Sequence, residues 1–475
     1  MRLAPSAFAL ALCLVGLTPG AAQDVPMFRF GPSHQGLASG RAIVFGAHAW
    51  RFPTGGKVRS TPAVAEGKAF FGSEDGNLYA VSLKEGKEVW RFKAGADISC
   101  SPAVARGLVV FLSRDGVLHA LHLQDGREAW RLTTGPDAPP RKGDYLGWDY
   151  WLSSPTVEGD TAYVGGGDGR VYAVSLADGK VLWSFPTAQR VRSCPAVKDG
   201  VVFVGSFDGH VYALDARTGQ EKWRFDTRGG IQSSPAVVDG TVYIGSRSAA
   251  VFALDARTGT LKWCTPHPNG SWVLGSPAVA GGKVIVGSSD EQFLQALDAQ
   301  TGRELWRLDT RHRVLGSPVV AGDVVLCPSE GAYCMAVDLE TGLVLGMEGA
   351  EGPVHTSPVP TEGLILLGSD DSSMHAFRAA SAPARTPAEQ SRVQACAGTF
   401  EDRPGSALTL SPTGNGFLQL KPGGFPPALV TLGTDGILRC PAYDLELKAS
   451  FAEGGGPAQL SLGAAGKEKL LKRLH

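Results

Sequence analysis

From about residue 56 to 380, short apolar runs alternate with turn residues at a regular beat. The stretch Ser193–Trp223 shows the unit most clearly. Apolar Ala196-Val197 is followed by Asp199-Gly200, then VVFVGS, Asp208-Gly209, HVYALD, Thr218-Gly219 and a last alternating segment into Trp223. Runs rich in Val, Phe and Tyr suit pleated, half-buried strands, and Asp-Gly or Thr-Gly supplies the positive φ of tight hairpins. The pattern predicts four short antiparallel strands. One such sheet cannot bury both of its faces, so the chain needs copies of it.

The copies are present. The tail of the unit recurs at Tyr79–Trp90, His119–Trp130, Tyr172–Trp183, Phe252–Trp263 and Gln295–Trp306, with a degenerate copy, MAVDLETGLVLG, at Met335–Gly346. The head, a small residue or Cys before Pro, recurs at Pro62, Pro102, Pro155, Pro195, Pro235, Pro277, Pro318 and Pro358, at spacings of 40, 53, 40, 40, 42, 41 and 40. Four strands per period of about 40 residues mean propeller blades rather than solenoid turns. The expectation is an all-β chain with an eight-bladed β-propeller. Residues 48–55, HAWRFPTG, form a tail without a head, and the eighth head at Ser357-Pro358 has no Trp strand after it. The two orphans predict that the first strand completes the last blade, which removes both sheet edges.

The pattern SPAV-x-DG-x-V-x-VGS-x-DG-x-x-YALD-x-x-TG-x-x-x-W resembles the PQQ-type (quinoprotein) propeller repeat, over roughly residues 48–380. That resemblance implies that Trp50, Trp90, Trp130, Trp183, Trp223, Trp263 and Trp306 are structural clamps docking between neighbouring blades. The family holds quinone-dependent dehydrogenases and also cofactor-free binding propellers, including the propeller subunit of the outer-membrane barrel-assembly machinery. Fold alone does not choose between them.

Composition adds limits. The 475 residues include 62 glycines and 31 prolines, as frequent turns require, and the formal net charge of −1 gives no field that draws nucleic acid or membranes. Residues 1–22 read as a signal peptide, with Met1-Arg2, an apolar run at Ala7–Leu17 and small residues up to Ala22. A periplasmic or secreted protein without a transmembrane segment follows, with a monomer expected. The propeller is assigned to 23–380 and a Pro/Ala/Ser linker to 381–392. Residues 393–475 show short alternating segments (SALTLS, GFLQLK, YDLELKASF), a small antiparallel β domain. It weakly resembles the lipocalin-like β domain that follows serine hydrolases of the β-lactamase type. No Ser-x-x-Lys or Gly-x-Ser-x-Gly accompanies it, so no hydrolase is implied.

No catalytic constellation and no metal-ligand spacing stands out. The Asp-Gly pairs lack the alternating carboxylates and closing Glu of a calcium loop. Aligning the blade entrances on their prolines places Lys57, Arg59, Asp97, Tyr150, Trp151, Arg190, Arg192, Trp272, Arg313 and His355 around one opening. If they line it, the mouth is electropositive, with aromatic surfaces, and suits a planar or carboxylated anion. Asp144 and Asp149, on the aromatic insertion at 131–152, could fold over and neutralise it. Among the cysteines, Cys327 and Cys334 fall opposite each other across a hairpin and could form a disulfide, and Cys396–Cys440 is a second pairing. Two functions compete. One is an exported, non-enzymatic propeller presenting a face to a protein partner or a small anionic ligand, with no cofactor. The other is a quinone (PQQ)- and calcium-dependent dehydrogenase; the adjacent Cys-Cys that such enzymes typically carry is absent.

Overall fold

The computed structural model describes residues 24–40, 42–139, 149 and 151–381. Beyond these it describes the strand segments 398–401, 407–412, 418–422, 428–432, 437–440, 445–450, 459–464, 467–470 and 472–473. Eight four-stranded antiparallel units follow one another around a ring. Blade four is representative, with strands Ala196–Lys198, Val201–Gly205, His210–Asp215 and Glu221–Asp226. Its hairpin forms because Asp208 holds the turn. One carboxylate oxygen accepts from the His210 N–H at 2.9 Å, the other from the Tyr212 hydroxyl at 2.8 Å. Gly209 takes φ +94°, which a side chain would resist. The Asp of these hairpins is therefore a turn residue.

Seven seams between blades share one device. The indole N–H of each clamp tryptophan donates to a carbonyl of the next blade: Trp50 to Leu83, Trp90 to Leu123, Trp130 to Leu176, Trp183 to Ala216, Trp223 to Ala256, Trp263 to Ala299 and Trp306 to Leu339, at 2.7–3.2 Å. The ring lies under the turn glycine of that next blade. A Cβ on Gly219 would stand 2.7 Å from the Trp183 indole. The polar N–H is satisfied while the large apolar face is buried, so the clamp carries no desolvation penalty.

The last seam differs. Blade eight, Val359–Thr361, Leu364–Ser369 and Ser373–Ser381, takes its outermost strand from Ile43–Pro53, with Trp50 opposite Ala376. This is the closure that the orphan ends predict, and the strand begins five residues before His48. Blade seven carries Gly346 where the others carry Trp. Val44, Leu343, Leu345, Ile365 and Phe377 fill the seam as one buried cluster. The outer strand of blade seven, Val344–Gly349, is also paired beyond its edge, Val344 lying parallel to Ala428.

Ala428 belongs to the C-terminal domain. Its strands pair in sequence from Gly398–Glu401 to Lys467–Leu470, and Lys472–Arg473 pairs back onto Phe400-Glu401. This order is that of an up-and-down barrel. Its buried Leu410, Leu420, Val430, Leu438 and Leu447 are continuous with the core of blades six and seven. Residues 1–23, and the linker 381–392 apart from Ser381, lie outside the described residues.

Two cysteine expectations come out differently. Cys327 lies opposite Met335, and Cys334 opposite Pro328, so the two thiols are one residue out of register and are free. Strand side chains alternate, so Cys327 joins the core shared with blade six and Cys334 the seam with blade eight. A disulfide between them is excluded. The Cys396–Cys440 pairing turns on Cys396, which lies outside the described residues; Cys440 is buried in the barrel.

Candidate functional site

The ring should enclose a channel, and the lead-in before the first blade fills it. Val25 pairs with Val64 of blade one. The carbonyls of Pro26, Pro32, Ser33, Gln35 and Gly36 then accept N–H groups from the innermost strands of blades two, four, five, six and seven. His34 reaches blade three through Thr156, Nε2 to Oγ1 2.8 Å. The Arg29 guanidinium donates to the carbonyls of Pro277 and Pro318. Burial lowers the Arg29 pKa to about 9; burial and the neighbouring Arg29 charge lower that of His34 to about 3. Arg29, Phe30 and His34 all take positive φ, a strained path that the surrounding bonds hold in place. No signal in the repeat marks this plug, because it is not part of the repeat.

Above the plug, the residues before the eight head prolines form a hydrogen-bonded girdle. The backbone N–H of each donates to the side chain of the next, in the order Thr61, Ser101, Ser154, Cys194, Ser234, Ser276 and Ser317, and Ser357 N–H donates to Thr61. Among the described residues only the step from Ser317 to Ser357 lacks the bond. The girdle surrounds a cavity of about 70 Å³, floored by Phe28 and roofed by Trp151, Arg59, Arg192 and His355.

Trp151 reaches the roof through a local exchange. In most blades the apolar residue four before Pro packs on a strand glycine of the preceding blade, as Val191 does on Gly165. Blade two has Leu112 in place of that glycine, which fills the space itself. Trp151 turns to the mouth and meets the His355 ring edge-on at 5.6 Å.

Of the residues that the proline alignment sets around the mouth, Arg59, Trp151, Arg192 and His355 line the cavity, and the cations of the set are paired. Arg59 holds Asp370 through two bonds of 2.9 and 2.6 Å and Glu74 at 3.0 Å, and Lys57 reaches Asp370 at 3.2 Å. Arg192 binds Asp149 at 2.7 Å and Asp137 at 2.6 Å, and Arg190 binds Asp149 at 2.6 Å. Arg313 lies 3.4 Å from Asp290 and 3.8 Å from Glu330. Asp97 meets Arg114 at 3.5 Å, and Arg114 also donates to the Asp149 carbonyl. Trp272 is covered by the Arg247 guanidinium at 4.9 Å, away from the cavity. Burial opposes charge on His355, yet hydrogen bonds to Asp370 and Glu330 raise its pKa. Burial likewise opposes ionisation of Asp370, but His355 and Arg59 hold its pKa below the usual carboxylate range.

The electropositive mouth is therefore corrected to a neutralised network. Asp149 folds over as considered above; Asp144 and Tyr150 lie outside the described residues. The missed acids were within reach of the repeat. Each hairpin residue after the Ser that recurs in the repeat bonds back to its own blade entrance, Glu74 N–H to the Lys57 carbonyl and Glu330 N–H to that of Arg313. Aligning that position as well would have set acids beside the bases.

The dehydrogenase alternative would need a quinone with calcium in this opening. Pockets for ligands of that size run to about 300 Å³ or more. The cavity is far smaller, its floor is the plug, and the nearby carboxylates are engaged by arginines, so the residues present do not fit the group. Among the described residues no cluster of three or more His, Cys, Asp or Glu could hold a metal ion, and no helix is long and apolar enough to cross a membrane.

Comparison with known proteins agrees with the geometry. A family model described as outer membrane protein assembly factor BamB matches residues 44–144, 141–234, 207–350 and 292–384. A protein of that name from Nitrosomonas eutropha is 27% identical over 103 residues, 22% of this chain and 25% of the relative, so the match spans about a quarter of that protein. BamB from Moraxella catarrhalis aligns with TM-score 0.58 at 18% identity, over 71% of this chain and 100% of that one. A computationally designed protein, Ika8, gives 0.61 at 17%, over 70% and 100%. A europium-containing methanol dehydrogenase gives 0.60 at 13%, over 73% and 90%. At these identities the three structures speak to fold alone. With the repeats, the ring and the family model covering most of the chain, the protein belongs to the PQQ-type propeller family of outer membrane protein assembly factor BamB.

Proposed function

We propose that this is an exported, non-enzymatic scaffold that binds a protein partner through the rim of its propeller, in the periplasm or at the outer membrane. The observation that carries the reading is the closed centre: a plug fills the channel, and the mouth cations already hold carboxylates. A partner must then engage the outer surface. There the chain exposes apolar side chains at Val89, Val181, Leu182, Leu261 and Leu305, on the outermost strands of blades one, three, five and six. The unpaired edge of an outermost strand is itself a template on which another chain can pair.

The family name supports a protein partner within an envelope assembly. Capture from a native periplasmic extract tests this, with the full chain and with a form lacking residues 393–475. The scaffold reading expects at least one partner retained by the propeller alone. An absorbance scan after adding quinone and calcium addresses the alternative. A stoichiometric, protein-bound quinone band would overturn the scaffold reading.

A further inference from the structure

We infer that the cavity beneath the mouth is a binding site for one small inorganic anion of the halide class, of which chloride is the abundant member. The inference stands apart from the scaffold reading and would survive its failure.

The girdle supplies the first argument. Nearly every side-chain oxygen in it spends a lone pair on the N–H of its neighbour, and a hydroxyl has one proton to give. Where the strand side of an oxygen is occupied in this way, its proton is left for a neighbour, as at Ser154 and Ser234 beside the Cys194 sulfur, or for the channel axis. Seven hydroxyls and one thiol line this single small space.

Charge supplies the second. The charged side chains lining the cavity are Arg59, Arg192 and His355, and no carboxylate is among the lining residues. The acids that pair with these cations, Asp370, Glu74, Glu330, Asp137 and Asp149, do not themselves line it.

The plug supplies the third. Arg29 is 2% exposed and is held by the carbonyls of Pro277 and Pro318, the residues after two girdle serines. It has no carboxylate partner among the described residues, and its Nε is left without a hydrogen bond. A buried cation calls for a counter-charge close by. Arg29 does not itself line the cavity, but it is bonded to the residues that follow two girdle serines, and water in the cavity would satisfy the hydroxyls but not that charge. Size then selects the ligand. A space of about 70 Å³ is ample for a halide with waters beside it and lies well below the roughly 300 Å³ or more of drug-sized ligand pockets.

The test uses the full chain and bromide as the probe. In crystals grown with sodium bromide, an anomalous peak should stand on the channel axis within hydrogen-bond reach of at least three girdle hydroxyls. In solution the thermal midpoint should rise with bromide or chloride at constant ionic strength, with gluconate as the balancing anion. Cys194→Ser adds an eighth hydroxyl at a position where other blades carry Ser or Thr, and should tighten halide binding about two- to five-fold. Ser357→Ala removes a hydroxyl that accepts no backbone N–H in the girdle, and should weaken binding several-fold. No bromide peak means water only and overturns the site. A peak with a halide-independent midpoint, unmoved by either variant, means an adventitious ion only and overturns it equally.

Discussion

Seven seams of the ring are closed by one local rule, and the eighth is closed by distant parts of the chain. At the seven, a tryptophan from one blade reaches under the glycine of the next, and both are positions of the repeating pattern. At the seam between blades seven and eight the tryptophan is replaced by Gly346, and a Cβ there would meet nothing within 4 Å. Its place is taken by Val44 on the N-terminal strand, by the apolar run Leu343-Val344-Leu345, and by the barrel strand beside Val344. The corresponding positions in blade four, Gln220, Glu221 and Lys222, are exposed. Repetition is sufficient to extend a ring. Closing it requires something from outside the repeat, and here the closing pieces are the plug, the first strand and the added domain.

The largest break in this comparison should come from deleting residues 24–56. That removes the plug and the outer strand of blade eight together. Hydrogen exchange should show blades seven and eight opening to near-unfolded rates while blades three to five stay protected. Uniform loss across the ring would mean that the seams are not independent.

Next in size are changes at single seams. Trp223→Ala should cost about 3–5 kcal/mol in denaturant unfolding, from the cavity left behind. The glycines sharpen the contrast. Gly219→Ala meets the Trp183 ring at positive φ and should cost about 1–3 kcal/mol. Gly346→Ala enters open space in a strand and should be neutral or stabilise by about 0.5–1 kcal/mol. Equal costs at the two glycines would erase the distinction between the seams.

The smallest effect is on pH. His355 has a raised pKa, so its charge contributes stability that is complete below about 6.5 and is lost as pH rises through the folded value. Asp370 has a lowered pKa, so its contribution is present above about 3.9 and is lost as pH falls toward the folded value. The thermal midpoint should therefore decline on both sides of a plateau. His355→Gln should remove the alkaline decline and leave the acid one.

Much of this was legible in the sequence because repetition makes register visible. The prolines fixed the blade count, the unmatched ends fixed the closure, and the tryptophans announced the clamps. The mouth was legible only in half. Strand alternation located Arg59, Arg192 and His355, but Glu74, Glu330 and Asp370, the partners of Arg59 and His355, stand in hairpins that read as exposed turns. The Cys327–Cys334 pairing failed over one residue of register, which inverts a strand's faces. The stretch PMFRFGPSHQG resembles a propeller lead-in, but its plugging role was not legible, because Arg29 and His34 act through backbone carbonyls and one threonine, contacts that no local pattern encodes.

The central claim is that the rim, and not the mouth, meets the partner. Photo-crosslinking residues placed one at a time around the propeller test it most directly, in cells that express the full chain. Positions 89, 182 and 305 on the outer strands should trap a common protein partner, and positions 57 and 313 at the mouth should trap none. Crosslinks that gather at 57 and 313 while the outer strands stay silent would contradict the account.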